Sequence, residues 1–122
     1  MITLQYIPHY EFGPLDTNAK IKKILRSVKD NKILVIEGRM YPSEEAELIA
    51  RTMEQIDRRF KGIEIASIDP RGRNDLLFEK IKRAVANLIV GKNEGLTIIG
   101  PATIVREIKK DPNKIELLTR IK

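Results

Sequence analysis

Two short stretches constrain this chain most: Ile33-Leu34-Val35-Ile36-Glu37-Gly38-Arg39 and Leu96-Thr97-Ile98-Ile99-Gly100-Pro101-Ala102-Thr103. Each is a nearly unbroken apolar run that stops at a glycine and then meets a helix-starting signal. A strand with one wet face alternates apolar and polar residues. A continuous run instead fits a strand buried on both faces, the habit of parallel sheets held between helices. In such sheets ligands and partners gather at the carboxyl ends of the strands, where these two glycines are expected to sit.

The remaining segments fall into place around these two strands. Met1 to Ile7 alternates Ile2, Leu4 and Tyr6 against Thr3 and Gln5, a half-buried strand ended by Pro8. Asp16 or Thr17 caps a helix with the apolar stripe Ile21, Ile24, Leu25 and Val28. After the strand 33–36, Ser43 reads as the cap of a second helix with Glu44, Glu45 and Glu47 in its first turn. That helix is expected to reach about Arg59, with Ala46, Ile49, Met53, Ile56 and Phe60 inward. Ile63 to Ile68 alternates and reads as an outer strand. Asn74 or Asp75 opens a third helix through Ile89, and Pro101 opens a fourth from Ala102 to Lys110. The tail 115–121 reads as an edge strand. The whole is an α/β fold: a single domain over 1–122, with a mostly parallel four- to five-stranded sheet flanked by about four helices.

The chain has no cysteine, which excludes disulfides, thiolate metal sites and cysteine nucleophiles. It opens without a basic leader or a long apolar span, and a cytoplasmic protein is the expectation. Charged residues make up 33% of it, a density familiar from thermophile surfaces, but the net charge of +6 is an imbalance that density alone does not explain. A small basic domain of this kind fits contact with nucleic acid or with an acidic protein surface.

Parallel strands would bring one set of loops together, carrying His9, Glu37, Arg39, Asp69, Arg71, Arg73, Gly100 and Thr103. Arg71-Gly72-Arg73 places two guanidiniums beside a flexible glycine, a reasonable phosphate clamp, and Arg39 would join it. Gly100 to Thr103 leads into a helix whose free amides could hold an anion, although Pro101 removes one donor. Lys109 and Lys110 close that helix and complement its dipole. The anion- or RNA-binding candidates are therefore Arg39, Arg71, Arg73, Gly100, Thr103, Lys109 and Lys110. His9 is the only histidine, no serine stands in a nucleophile elbow, and no phosphate-binding glycine motif is present, so no catalytic residue, metal ligand or cofactor is assigned. Aromatic residues are 5% of the chain and do not interleave with basic ones, so any RNA contact should run through backbone and shape.

Leu4-Gln5-Tyr6-Ile7-Pro8, Val35-Ile36-Glu37-Gly38, Glu44 to Ile49, Gly62-Ile63-Glu64-Ile65, Leu96 to Ala102 and Glu107-Ile108-Lys109-Lys110-Asp111-Pro112 together resemble an uncharacterised archaeal family of single-domain proteins, a domain of unknown function. Genes of that family tend to lie beside an Era-like GTPase and a small zinc-ribbon protein. The resemblance carries over no catalytic residue; it implies an archaeal cytoplasmic protein and points toward ribosome or RNA biology. Three readings follow. The first is a non-enzymatic basic module contacting RNA, a ribosomal subunit or an Era-like GTPase, away from membranes. The second is a small-anion or enzymatic site at the strand ends. The third is a homodimeric scaffold joined through an edge strand, either Met1–Ile7 or Ile115–Ile121.

Overall fold

The computed structural model describes residues 2–68, 95–115 and 119–121. The helix expected from Asn74 to Ile89, and Asp69, Arg71 and Arg73, lie outside the described residues. The described elements are β1 (Ile2–Ile7), α1 (His9–Phe12), α2 (Thr17–Lys29), β2 (Lys32–Glu37), α3 (Pro42–Met53), β3 (Ile63–Ile68), β4 (Leu96–Pro101), α4 (Ala102–Lys110) and β5 (Thr119–Ile121).

The strands form one sheet in the order β3-β4-β2-β1-β5. β1 runs parallel to β2 and to β5, but β4 is antiparallel to both its neighbours. The sheet is mixed, and the mostly parallel sheet expected from the apolar runs is corrected. The reason is physical: an unbroken apolar run encodes burial on both faces and carries no information on strand direction. β2 illustrates the burial. Its Leu34 and Ile36 pack under α1–α3 with Ile21, Ile24, Phe12 and Leu48, while Ile33 and Val35 pack on the opposite side with Val105, Ile108 and Ile115. Helices cover both faces whichever way each strand points. The topology also corrects the edge-strand expectation for Met1–Ile7, because β1 lies between β2 and β5; the outer strands of this sheet are β3 and β5.

α2 follows its sequence closely. The Asp16 carboxylate accepts a hydrogen bond from the Ala19 amide at 2.8 Å, capping the helix. Ile21, Ile24, Leu25 and Val28 face the core. Asn31 then takes a left-handed conformation at φ 59°, which ends the helix and turns the chain into β2.

α3 departs from expectation in start, end and rotation. It begins at Pro42, with Tyr41 rather than Ser43 as the cap, and ends at Met53 rather than near Arg59. Glu44 reaches back so that its Oε1 accepts from the Tyr41 amide at 3.0 Å, the reciprocal half of a capping box. Its Oε2 accepts from Lys20 Nζ at 2.7 Å, with both side chains buried. Anchoring Glu44 inward brings Leu48 and Thr52, one and two turns on, to the same face. Ile49 and Met53, about 100° further round, therefore face solvent. The chain beyond α3 is held by Asp57, whose carboxylate accepts from the Arg59 and Phe60 amides at 2.8 Å each.

Gly100 has a packing reason. A Cβ there would lie 2.7 Å from Ile33 Cγ1 and 3.0 Å from Val105 Cγ2, so only hydrogen lets β4 and α4 close on β2. Gly100→Ala should lower stability by about 1–3 kcal/mol through overpacking, read as a shifted denaturant midpoint with an unchanged slope. A variant as stable as the wild type would show that Ile33 and Val105 can give way.

Candidate functional site

Because β4 runs against β2, the loops grouped by the sequence reading divide between two edges of the sheet. The carboxyl ends of β1, β2 and β3 share one edge with the start of β4; Gly100 and Pro101 lie at the other, beside Ile63 and the β3 start. Arg39 and the Gly100–Thr103 turn are thus not brought together.

At the first edge, the His9 amide donates to Glu37 Oε1 at 3.0 Å, tying α1 to the end of β2. Gly38 follows with φ 103°, and its carbonyl accepts from the Thr97 hydroxyl at 2.8 Å. These contacts fix a turn. Arg39 sits on its exposed surface. Among the described residues no group of three histidine or acidic side chains is placed to hold a metal ion.

The second edge carries a cavity of about 330 Å³ between the end of α2, the Asp57–Gly62 segment and the start of α4. Lys29, Arg59 and Lys61 line it, with Asp57 and Thr103. Asp57 is spoken for: backbone amides of Phe60 and Arg59 bind its carboxylate and hold it below the usual carboxylate range. Lys29 lies over the Phe60 ring at 5.7 Å and donates to Gln55 Oε1. The Ala102 amide, first of α4, donates to the Gly62 carbonyl at 3.2 Å, so with Pro101 before it two amides at this helix start are unable to meet a ligand.

Lys109 and Lys110 lie further along α4 beside a concavity that Thr103 and Arg106 also line. Lys109 Nζ binds Glu64 Oε2 at 3.0 Å and Arg106 Nε stands 3.4 Å from Oε1. The Lys109 hydrogen bond, against some desolvation, holds the Glu64 carboxyl below its ordinary value. Lys109 and Arg106 thus share one carboxylate.

The strongest basic feature among the described residues is one the motif reading passed over. α2 holds five Lys and Arg residues and no acid in its 13 residues. Lys20 is buried against Glu44 and over the Phe12 ring at 5.3 Å. Lys22, Lys23 and Arg26 instead line an open groove with Leu15, Ala19 and Ser27 along the outer side of the helix. Among the described residues, none of these three makes an ion pair or side-chain hydrogen bond. One turn on, Lys29 joins this row to Arg59 and Lys61 across the cavity. The signal was present in the sequence as a local run, Lys20-Ile21-Lys22-Lys23-Ile24-Leu25-Arg26-Ser27-Val28-Lys29, in which the cations occupy the positions the apolar stripe leaves over.

The family described as origin-associated protein OapB matches residues 13–120, a span that takes in α2, the cavity and the whole sheet except β1 and the last residue of β5. The chain belongs to that family. No curated protein and no solved structure matches it. The OapB family match thus covers every basic residue of the α2 row and its continuation to Lys61.

Proposed function

We propose that this chain is a non-enzymatic module that holds a nucleic-acid backbone along α2. The observation that carries the reading is the row Lys22, Lys23 and Arg26, unpaired on an acid-free helix and continued by Lys29 toward Arg59 and Lys61. Phosphates are recognised by such rows without base contacts, and the scarcity of aromatics fits backbone rather than base readout. The family's description as origin-associated fits a protein that works beside nucleic acid.

The shared ligand chemistry is a phosphodiester chain, and RNA, including a ribosomal subunit, and duplex DNA are its two sources. Fluorescence anisotropy with labelled duplex DNA and with labelled single-stranded RNA of matched length separates them. Binding of either that is lost in Lys22→Glu/Lys23→Glu/Arg26→Glu supports the reading; binding that survives this triple substitution refutes it. The Era-like GTPase is the competing partner, and its association should persist when the α2 charges are reversed.

A further inference from the structure

The basic row on α2 ends at a recess. Lys22, Lys23 and Arg26 line an open groove, whereas the cavity reached at Lys29 is more enclosed, with Val28 and Phe60 among its walls. Two further walls, Gly62 and the start of α4, are joined by the bond from the Ala102 amide to the Gly62 carbonyl. A volume of about 330 Å³ is at the small end of ligand pockets, room for a phosphate and its sugar rather than for a longer stretch of strand. Charge is also denser here than on α2. Lys29, Arg59 and Lys61 line this space against the single carboxylate of Asp57, which leaves two positive charges in excess. Asp57 is held chiefly by the Phe60 and Arg59 amides. Among the described residues, neither the Arg59 nor the Lys61 side chain makes an ion pair, and Lys29 meets only neutral partners, Gln55 Oε1 and the Phe60 ring. All three cations are therefore open to a ligand.

We infer that this cavity receives the terminal phosphate of a nucleic-acid strand whose next phosphodiesters lie along α2. The inference rests on the backbone reading of α2 and adds to it which part of the strand is held. An internal phosphodiester carries one negative charge; a terminal phosphomonoester carries nearly two at neutral pH and presents three strong acceptor oxygens. The excess of two charges and the cluster of three separate donors match the terminal group, while roughly one cation per turn along α2 matches the internal ones. Arg59 offers a fork for two oxygens and each lysine a single point of charge. Thr103 adds a hydroxyl, and Val28 and Phe60 offer apolar surface to the sugar. The spacing agrees. α2 advances about 6 Å from Lys22 to Arg26 and about 4.5 Å from Arg26 to Lys29, steps that long flexible side chains adjust to successive phosphates.

Fluorescence anisotropy with three single strands of one sequence and length tests this: one with a 5′-phosphate, one with a 3′-phosphate and one with hydroxyls at both ends, each labelled at an internal base. One of the two phosphorylated strands should bind about tenfold more tightly than the hydroxyl-ended strand, with a salt slope steeper by about one. In Arg59→Gln/Lys61→Gln the ratio between those two strands should fall to about one. Both side chains are exposed, and an unchanged thermal midpoint would show that the fold is kept. An equal gain from both phosphates reports net charge rather than a site and overturns the inference, as does a gain that the cavity substitutions leave intact. Free mononucleotides are the other source of the same group. Calorimetric titration with the matching nucleoside monophosphate should give binding about 100-fold weaker than that of the phosphorylated strand, because the α2 row then has no partner. Equal affinity would assign the cavity to free nucleotides instead. The two readings fail separately. Strands that bind wild type and not Lys22→Glu/Lys23→Glu/Arg26→Glu, with no preference for a phosphorylated end, leave the backbone reading standing and remove this one. Strand binding untouched by the triple substitution removes the backbone reading itself.

Discussion

Replacing Lys20 by methionine should lower the unfolding free energy by about 3–5 kcal/mol, the usual consequence of leaving one member of a buried pair charged and alone. The Lys20 and Glu44 side chains are 10% and 7% exposed, with 2.7 Å between Nζ and Oε2, so solvent cannot take over the lost partner. Against a total stability of about 5–15 kcal/mol for a domain, that is a large share. Lys20→Met/Glu44→Gln is the informative control. It removes both charges while keeping an oxygen for the Tyr41 amide, and should recover all but about 1–2 kcal/mol. Chemical denaturation of the two variants and the wild type decides the matter. A Lys20→Met protein within about 1 kcal/mol of wild type would mean the pair is solvated in solution.

The same pair fixes a pH dependence. Burial alone would raise the Glu44 carboxyl, but the Lys20 hydrogen bond, the Tyr41 amide and the Lys20 charge together outweigh it and hold the group below its ordinary 4.5. A carboxyl whose folded pKa lies below its unfolded one stabilises the fold fully above the unfolded value, and that contribution is lost as pH falls through the folded value. Wild type should therefore weaken on acidification below about pH 4.5. In Lys20→Met the two Lys20 contributions vanish while burial remains, so Glu44 becomes easier to protonate in the folded state and the sign reverses. The gap between the two proteins should narrow as pH drops. Denaturant midpoints at stepped pH read this directly, and a gap that widens in acid would contradict it.

That pair also explains how far the fold could be read in advance. Strands β2 and β4 and helices α2 and α4 declared themselves through unbroken apolar runs, a cap at Asp16, a 3.6-residue stripe and Pro101, all local signals. The direction of β4 did not, because helices on both sides of the sheet make the same residues apolar whichever way the strand runs. The rotation of α3 did not either. Ala46, Ile49, Met53 and Ile56 form a better apolar stripe than Glu44, Leu48 and Thr52, yet Leu48 enters the core under β2 and Glu44 meets the distant Lys20, so the second set is the inward one. A contact 24 residues apart overrode the local pattern. The motif reading favoured glycine turns and arginine pairs and passed over the row on α2, which is legible only as charge placed on the face its apolar stripe leaves free. With β4 antiparallel, Thr103 belongs with Lys29 and Lys61 rather than with Arg39.

The second large effect is on nucleic-acid affinity. If Lys22, Lys23 and Arg26, with Lys29, each meet one phosphate of a duplex, three to four counterions are released, and raising salt from 50 to 200 mM should weaken binding about 40- to 150-fold. Single-stranded RNA releases fewer counterions per contact, and the same salt step should weaken it about 20- to 50-fold, so with the ligand known each slope counts the phosphates held. Lys22→Glu/Lys23→Glu/Arg26→Glu should remove binding from the measurable range at 50 mM salt and leave a flat residual. The substituted side chains lie on the outer side of α2 while Ile21, Ile24, Leu25 and Val28 continue to hold it, so the thermal midpoint should move little. Lys109→Glu is the matched control: its cation is engaged by Glu64, and its loss should change affinity less than any single α2 reversal. Equal losses from Lys109→Glu and Arg26→Glu would mean that the +6 charge attracts polyanions over the whole surface, and that α2 is only one part of a diffuse field.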